Sequence, residues 1–172
     1  YDSLGTIAAT LAIEGQGFDP EQMTGQVELV LDSLEYQQAG FGGISLQATL
    51  DQGEINGVFN SVDSALLLGL NIQAQIRNGN YRAALKGKLD WADFYALGLV
   101  ADTLDLSLGI DMNGIIRENG FVAANLKLSD ILLESSGIQQ SLGDLLVRVR
   151  STADSTRARI ESGDLQLVFN SN

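Results

Sequence analysis

The chain has no histidine and no cysteine among its 172 residues, a single proline (Pro20), and only 10 basic against 22 acidic side chains. Each shortage removes a class of chemistry. Without imidazole or thiol there is no catalytic triad, thiolate nucleophile, disulfide framework or imidazole–thiolate zinc site. A formal net charge of −12 argues against nucleic-acid partners, whose phosphate backbone would repel it. No apolar run exceeds that of Ala65–Leu68, far short of the ~20 residues that span a bilayer as a helix. Charged residues make up 19%, below the roughly 25% of an average globular chain. Yet 45% of residues are apolar, too many for an acidic disordered segment.

What is present is alternation with period two. Val27, Leu29 and Leu31 alternate with polar or solvent-tolerant neighbours, as do Leu46, Ala48 and Leu50. The same holds for Leu104, Leu106, Leu108, Ile110 and Met112, for Leu145, Val147 and Val149, and for Leu165, Leu167 and Phe169. Successive strand side chains point to opposite faces, so each such segment has one apolar and one wet side. That is the pattern of antiparallel rather than doubly buried parallel strands.

Turn chemistry fixes registers between these strands. Asn78-Gly79 is a two-residue hairpin signal, because both turn positions need positive φ. It pairs Ile76 with Tyr81, Ala74 with Ala83, and Ile72 with Leu85. Gln52-Gly53 likewise pairs Leu50 with Ile55 and Leu46 with Phe59, and sets Asp51 beside Glu54. At Asn119-Gly120 a two-residue loop would mix the faces. A three-residue loop over 118–120, with Gly120 left-handed, instead pairs Met112 with Leu126 and Ile110 with Leu128. One short helix is expected between Asp90 and Gly98, capped by Asp90, with Trp91, Phe94, Tyr95 and Leu97 on one face.

A degenerate repeat of about one hundred residues accompanies the alternation. Leu11–Gly15 matches Leu108–Gly114, Ile44–Ala48 matches Leu145–Val149, and Val58–Ser61 matches Arg159–Ser162. The expectation is one elongated repeat-type β domain over 1–172, with approximate units 1–88 and 89–172.

Candidate sites are few. Asp105 and Asp111 share the polar side of one strand and Asp102 precedes it; they read as a solvated face rather than a carboxylate pair flanking a cleft. Around Gly114 a calcium loop would need ligands where Gly109 and Gly120 stand, and the Gly40, Gly42, Gly43 cluster lacks the Lys-Ser or Lys-Thr of a phosphate-binding loop. Neither cofactor nor metal is implied, and no enzyme activity. The apolar face itself remains. On physical grounds it is either the core between two layers or the lining of an aliphatic groove, where acyl chains gain roughly 0.8 kcal/mol per buried CH₂.

A resemblance favours the groove. The segments Leu89–Leu99 (LDWADFYALGL), Asp102–Gly114 (DTLDLSLGIDMNG), Asn125–Leu128 (NLKL) and Ile160–Leu165 (IESGDL) resemble a repeat unit of the TamB/AsmA-like family of Gram-negative envelope proteins. The resemblance covers most of the chain, the first half as a less regular copy. It implies a mostly β fold: an antiparallel sheet folded lengthwise into an elongated trough, or β-taco, with a hydrophobic interior. It also implies the periplasm, a parent protein anchored in the inner membrane, and a partner barrel of TamA type in the outer membrane. The matching motifs are those of the repeat, so the chain is expected to be an internal piece of a longer protein. The implied function is phospholipid transport between the two membranes; the alternatives are strand-pairing assistance to outer-membrane β-barrels and a structural repeat with a filled core. The lining expected to bury acyl chains is Val27, Leu29, Leu31, Leu46, Ala48, Leu50, Ile72, Ala74, Ile76, Leu106, Leu108, Ile110, Met112, Leu126, Leu128, Val147, Val149, Leu165 and Leu167.

Overall fold

An alternating strand cannot bury its apolar side alone; it needs neighbours whose apolar sides face the same way. The computed structural model describes residues 4–36, 39–118 and 120–171. Among them are twelve strands and no helix. The strands are β1 (Leu4–Gln16), β2 (Thr24–Tyr36), β3 (Ala39–Phe41), β4 (Ile44–Asp51), β5 (Glu54–Asp63) and β6 (Leu66–Arg77). They continue with β7 (Asn80–Asp93), β8 (Asp105–Ile116), β9 (Val122–Ser135), β10 (Ile138–Ser151), β11 (Thr156–Ser162) and β12 (Leu165–Ser171). All belong to one antiparallel sheet in sequence order, with short β3 as a side branch on β2. The sheet stays open, with β1 and β12 at its two edges. Lys88 and Leu89, on either side of the expected repeat boundary, are consecutive residues of β7.

The hairpins follow their turn residues. Asn78 and Gly79 have φ of 49° and 67°, and Ile76 faces Tyr81, Ala74 faces Ala83, and Ile72 faces Leu85. At Gln52-Gly53, Leu50 faces Ile55, Leu46 faces Phe59, and Asp51 faces Glu54. The loop after β8 has the longer form: Met112 faces Leu126, Ile110 faces Leu128, and Gly120 has φ of 79°. Asn119 lies outside the described residues.

The expected helix is absent. Asp90 to Asp93 instead extend β7, and only a single turn follows. Strand β7 is held from both sides here: Ala92 faces Leu66 on β6 and Leu106 on β8. Two ladders outweigh a helical nucleus of a few residues, which forms too few bonds to offset its ordering entropy. The capping chemistry survives on a different residue. Asp93 accepts a bond from the Ala96 amide at 2.8 Å, and its carbonyl accepts from the Leu97 amide at 3.0 Å. A bulge between Leu89 and Ala92 shifts the phase of β7, so Trp91 faces Leu67 on the polar side while Leu97 returns over the apolar side.

Among the described residues the main contacts between elements join sheet neighbours, and no second layer covers the sheet. The buried apolar residues Leu89, Ala92, Leu108 and Ile131 form one small cluster, packed by Leu66, Leu68, Leu97 and Leu106 among others. The accessible surface is 11516 Å² for 18.4 kDa, against about 8,200 Å² for a compact monomer of this mass.

Gly87 sits where the apolar side is tightest. A Cβ there would collide with the Gly69 carbonyl and stand 2.6 Å from Leu70 Cδ2. On the polar side of β6, a Cβ on Gly69 would meet only Asn60 Oδ1, at 3.5 Å. Gly87→Ala should therefore destabilise the fold by about 1–3 kcal/mol through overpacking, whereas Gly69→Ala should be neutral or slightly stabilising. Urea unfolding of the two variants checks the contrast.

Candidate functional site

The apolar positions line up across strands as well as along them. One lateral row runs Ile13, Val27, Ala48, Gly57, Ile72, Leu85, Met112, Leu126, Val147, Ile160 and Leu167, each facing the next. It crosses every strand of the main path without a polar member. A parallel row begins Leu11, Leu29, Leu46, Phe59 and Leu70 and passes Gly87, Ile110 and Leu128 to Leu145. Between the first row and the hairpin loops, a third consists mainly of small residues, including Gly25, Ala74, Ala83, Gly114, Ala124 and Ala158. Rows on one face lie about 7 Å apart, two residues along a strand.

Every lining residue expected from the sequence falls on this one face. Most are half-buried by their neighbours, while Met112, Leu165 and Leu167 are exposed. Leu108 differs: it is buried in the cluster closed by Leu97 and belongs to the small core. The expected lining omits Ile13, Phe59, Leu70, Leu85, Leu145 and Ile160, which complete the rows. Three of these were available from the sequence: Phe59 and Leu85 face Leu46 and Ile72 across two hairpins, and Leu145 shares the alternation of Val147.

Two open depressions of about 620 and 630 Å³ lie on the other face, lined by Gln26, Gln47, Asn56 and Gln73 in one and by Asn56, Gln75, Arg82 and Asn125 in the other. Their lining is mixed, with Ala12 and Val58 among the polar residues of the first and Ile115 and Ala123 among those of the second. On the apolar side the side chains themselves fill the space between strands, which is why those residues are half-buried without any covering layer.

The carboxylates do not converge. Asp111 pairs with Lys86 at 3.2 Å and faces Lys127 across the ladder. Asp105 stands six residues away on the same strand, about 20 Å, well beyond the separation of a glycosidase pair. Asp102 lies on the exposed connection before β8. Asp105 faces Asp93 on one side and Glu134 on the other. Partial burial, and then these two negative neighbours, raise its pKa above the ordinary carboxylate value. Among the described residues no group of three or more acidic side chains is placed to hold a metal ion. Asp144 is lowered instead, chiefly by the hydrogen bond from Lys127 and then by the Asp130 amide, which donates to it at 3.3 Å. That contact holds the bulge in β9, where Asp130 has φ of 53°.

No protein-family model, curated protein or solved structure matches this chain. No helix among the described residues is long and apolar enough to cross a membrane.

The Asp105 row gives a pH prediction. A raised folded pKa means that the folded state holds the proton more firmly than the unfolded chain. Ionised Asp105 therefore weakens the fold above its folded pKa, and the penalty vanishes below the unfolded value near 3.8. Asp105→Asn should raise the melting temperature at pH 7, and the gain should shrink as pH falls through the carboxylate range. Thermal melts from pH 3 to 8 check this.

Proposed function

We propose that this chain is a segment of a periplasmic bridge of the TamB/AsmA-like kind, folded as an elongated trough whose apolar face carries phospholipid acyl chains between the inner and outer membranes. The observation that supports it is a continuous aliphatic face spanning the main path of a sheet that has no second layer. An aliphatic wall recognises hydrocarbon without a polar code and lets chains slide, because burial is non-directional. Gly87, on the apolar side where a Cβ would collide with the Gly69 carbonyl, lets the sheet bend towards that side. The parent protein would be anchored in the inner membrane and reach a barrel of TamA type, and head groups would stay at the rim.

A second reading rests on the edges. Strand β12 pairs only with β11 and is exposed along its length, so its unpaired backbone groups could accept an incoming strand of an outer-membrane protein.

Met112 and Leu126 face each other in the central lateral row outside the buried cluster, so they separate groove from core. Native mass spectrometry after exposure to mixed phospholipids should show lipid adducts on the wild-type chain. In Met112→Asn/Leu126→Asn these should fall several-fold, with strand content retained. Leu108→Asn should instead unfold the chain by several kcal/mol, as a polar group buried in a core does. A wild type free of lipid, but crosslinked through β12 to unfolded barrel substrates, would favour the second reading.

A further inference from the structure

On the polar face of β10 and β11, positive charge gathers against the trend of the whole chain. Arg148 stands directly opposite Arg159, and Arg150 directly opposite Arg157. Like charges in opposed positions destabilise an antiparallel pair, and here two such pairs adjoin. Four other cations of this face are matched: Arg77 meets Glu54, Lys86 meets Asp111, Lys88 meets Asp90, and Lys127 meets Asp144. Arg82 is unmatched among the described residues but stands alone, opposite Gln75 and Ile115. The four arginines share one carboxylate. Glu161 accepts from Arg148 at 2.8 Å and from Arg159 at 2.5 Å. Arg150 and Arg157 have no ion-pair partner among the described residues, and Asp154 in the adjoining turn pairs with neither. Four arginines and one glutamate leave a local charge of +3, within a chain of −12.

We propose that this arginine quartet binds a phosphate group, carried either by a small soluble phosphate ester or by a lipid head group. Opposed residues are about 5 Å apart and the two rows about 7 Å apart, so all four side chains, each about as long as these spacings, can reach one tetrahedral anion above the pairs. Phosphate offers several oxygens to several forks at once, and arginine matches that geometry with paired N–H donors. A single carboxylate would neutralise only one of three excess charges. A nucleic-acid strand fits less well, because the first 76 residues carry ten acidic and no basic side chains and would repel its flanks. The site lies on the polar face, one strand in from the β12 edge, and does not depend on what the apolar face carries.

Titration calorimetry of the intact chain with inorganic phosphate at low ionic strength tests this, beside Arg150→Gln/Arg157→Gln. Neither residue is ion-paired, so the double variant should fold. Without phosphate it should melt higher than wild type, because opposed charges are gone. Wild type should bind phosphate at least about tenfold more tightly than the double variant, the loss expected for charge-assisted bonds. Arg82→Gln, a cation of the same face outside the quartet, should bind like wild type. Equal affinity in the double variant, or no preference for phosphate over chloride at matched ionic strength, overturns the proposal. Sedimentation with phosphatidylcholine vesicles containing phosphatidylglycerol then separates the sources. Retention of wild type but not the double variant identifies a lipid-borne phosphate; phosphate binding without retention identifies a soluble ester.

Discussion

Lateral register is the constraint on which this structure depends. Each strand has an apolar and a polar side, and a slip of one residue at any hairpin would exchange them. The row from Ile13 to Leu167 crosses all the main-path strands because no hairpin slips. Turn residues with positive φ, such as Asn78 and Gly120, hold that register locally. The phase shifts in bulges between β1 and β2 and between β9 and β10, and in the bulges of β7 and β9 it changes on both sides of β8. The two shifts return apolar side chains to the same face, and the small buried cluster forms there.

A single layer stabilised in this way differs from a globule. Each strand contacts mainly its neighbours in the sheet, so cohesion accumulates pair by pair, as in repeat proteins. The surface excess of about 3,300 Å² over a compact monomer is the measure of what the sheet leaves uncovered. An apolar face of this extent marks an interaction surface more often than an accident. The two faces also differ in what they can recognise. The apolar one offers only aliphatic surface, whereas the polar one carries ion pairs, an acidic row at Asp93, Asp105 and Glu134, and an arginine quartet.

Strand content, face assignment and the three tested hairpins were legible because they depend on residues close in sequence. Period-two alternation fixes which side chains share a face, and Asn-Gly or Gln-Gly fixes the nearest partner. The stretch from Asp90 to Gly98 misled for the same reason. Its apolar spacing and its acidic caps are local features of a helix, but Ala92 is claimed by Leu66 and Leu106, neighbours that its own segment cannot reveal. Asp93, rather than the expected Asp90, caps the single turn that remains, because β7 runs through Asp90. Leu108 looked like any other lining residue until the bulges and Leu97 buried it.

The sequence by itself determined the class of structure, the composition of each face and the chemistry that is excluded, since these follow from residue type and period. Only the tertiary structure decided that the rows join into one continuous surface with no layer above it. It alone set Arg148 against Arg159 and Arg150 against Arg157, and drew Asp93, Asp105 and Glu134 into one row. The reason is physical: those juxtapositions are cross-strand pairings that bulges and loop lengths set together.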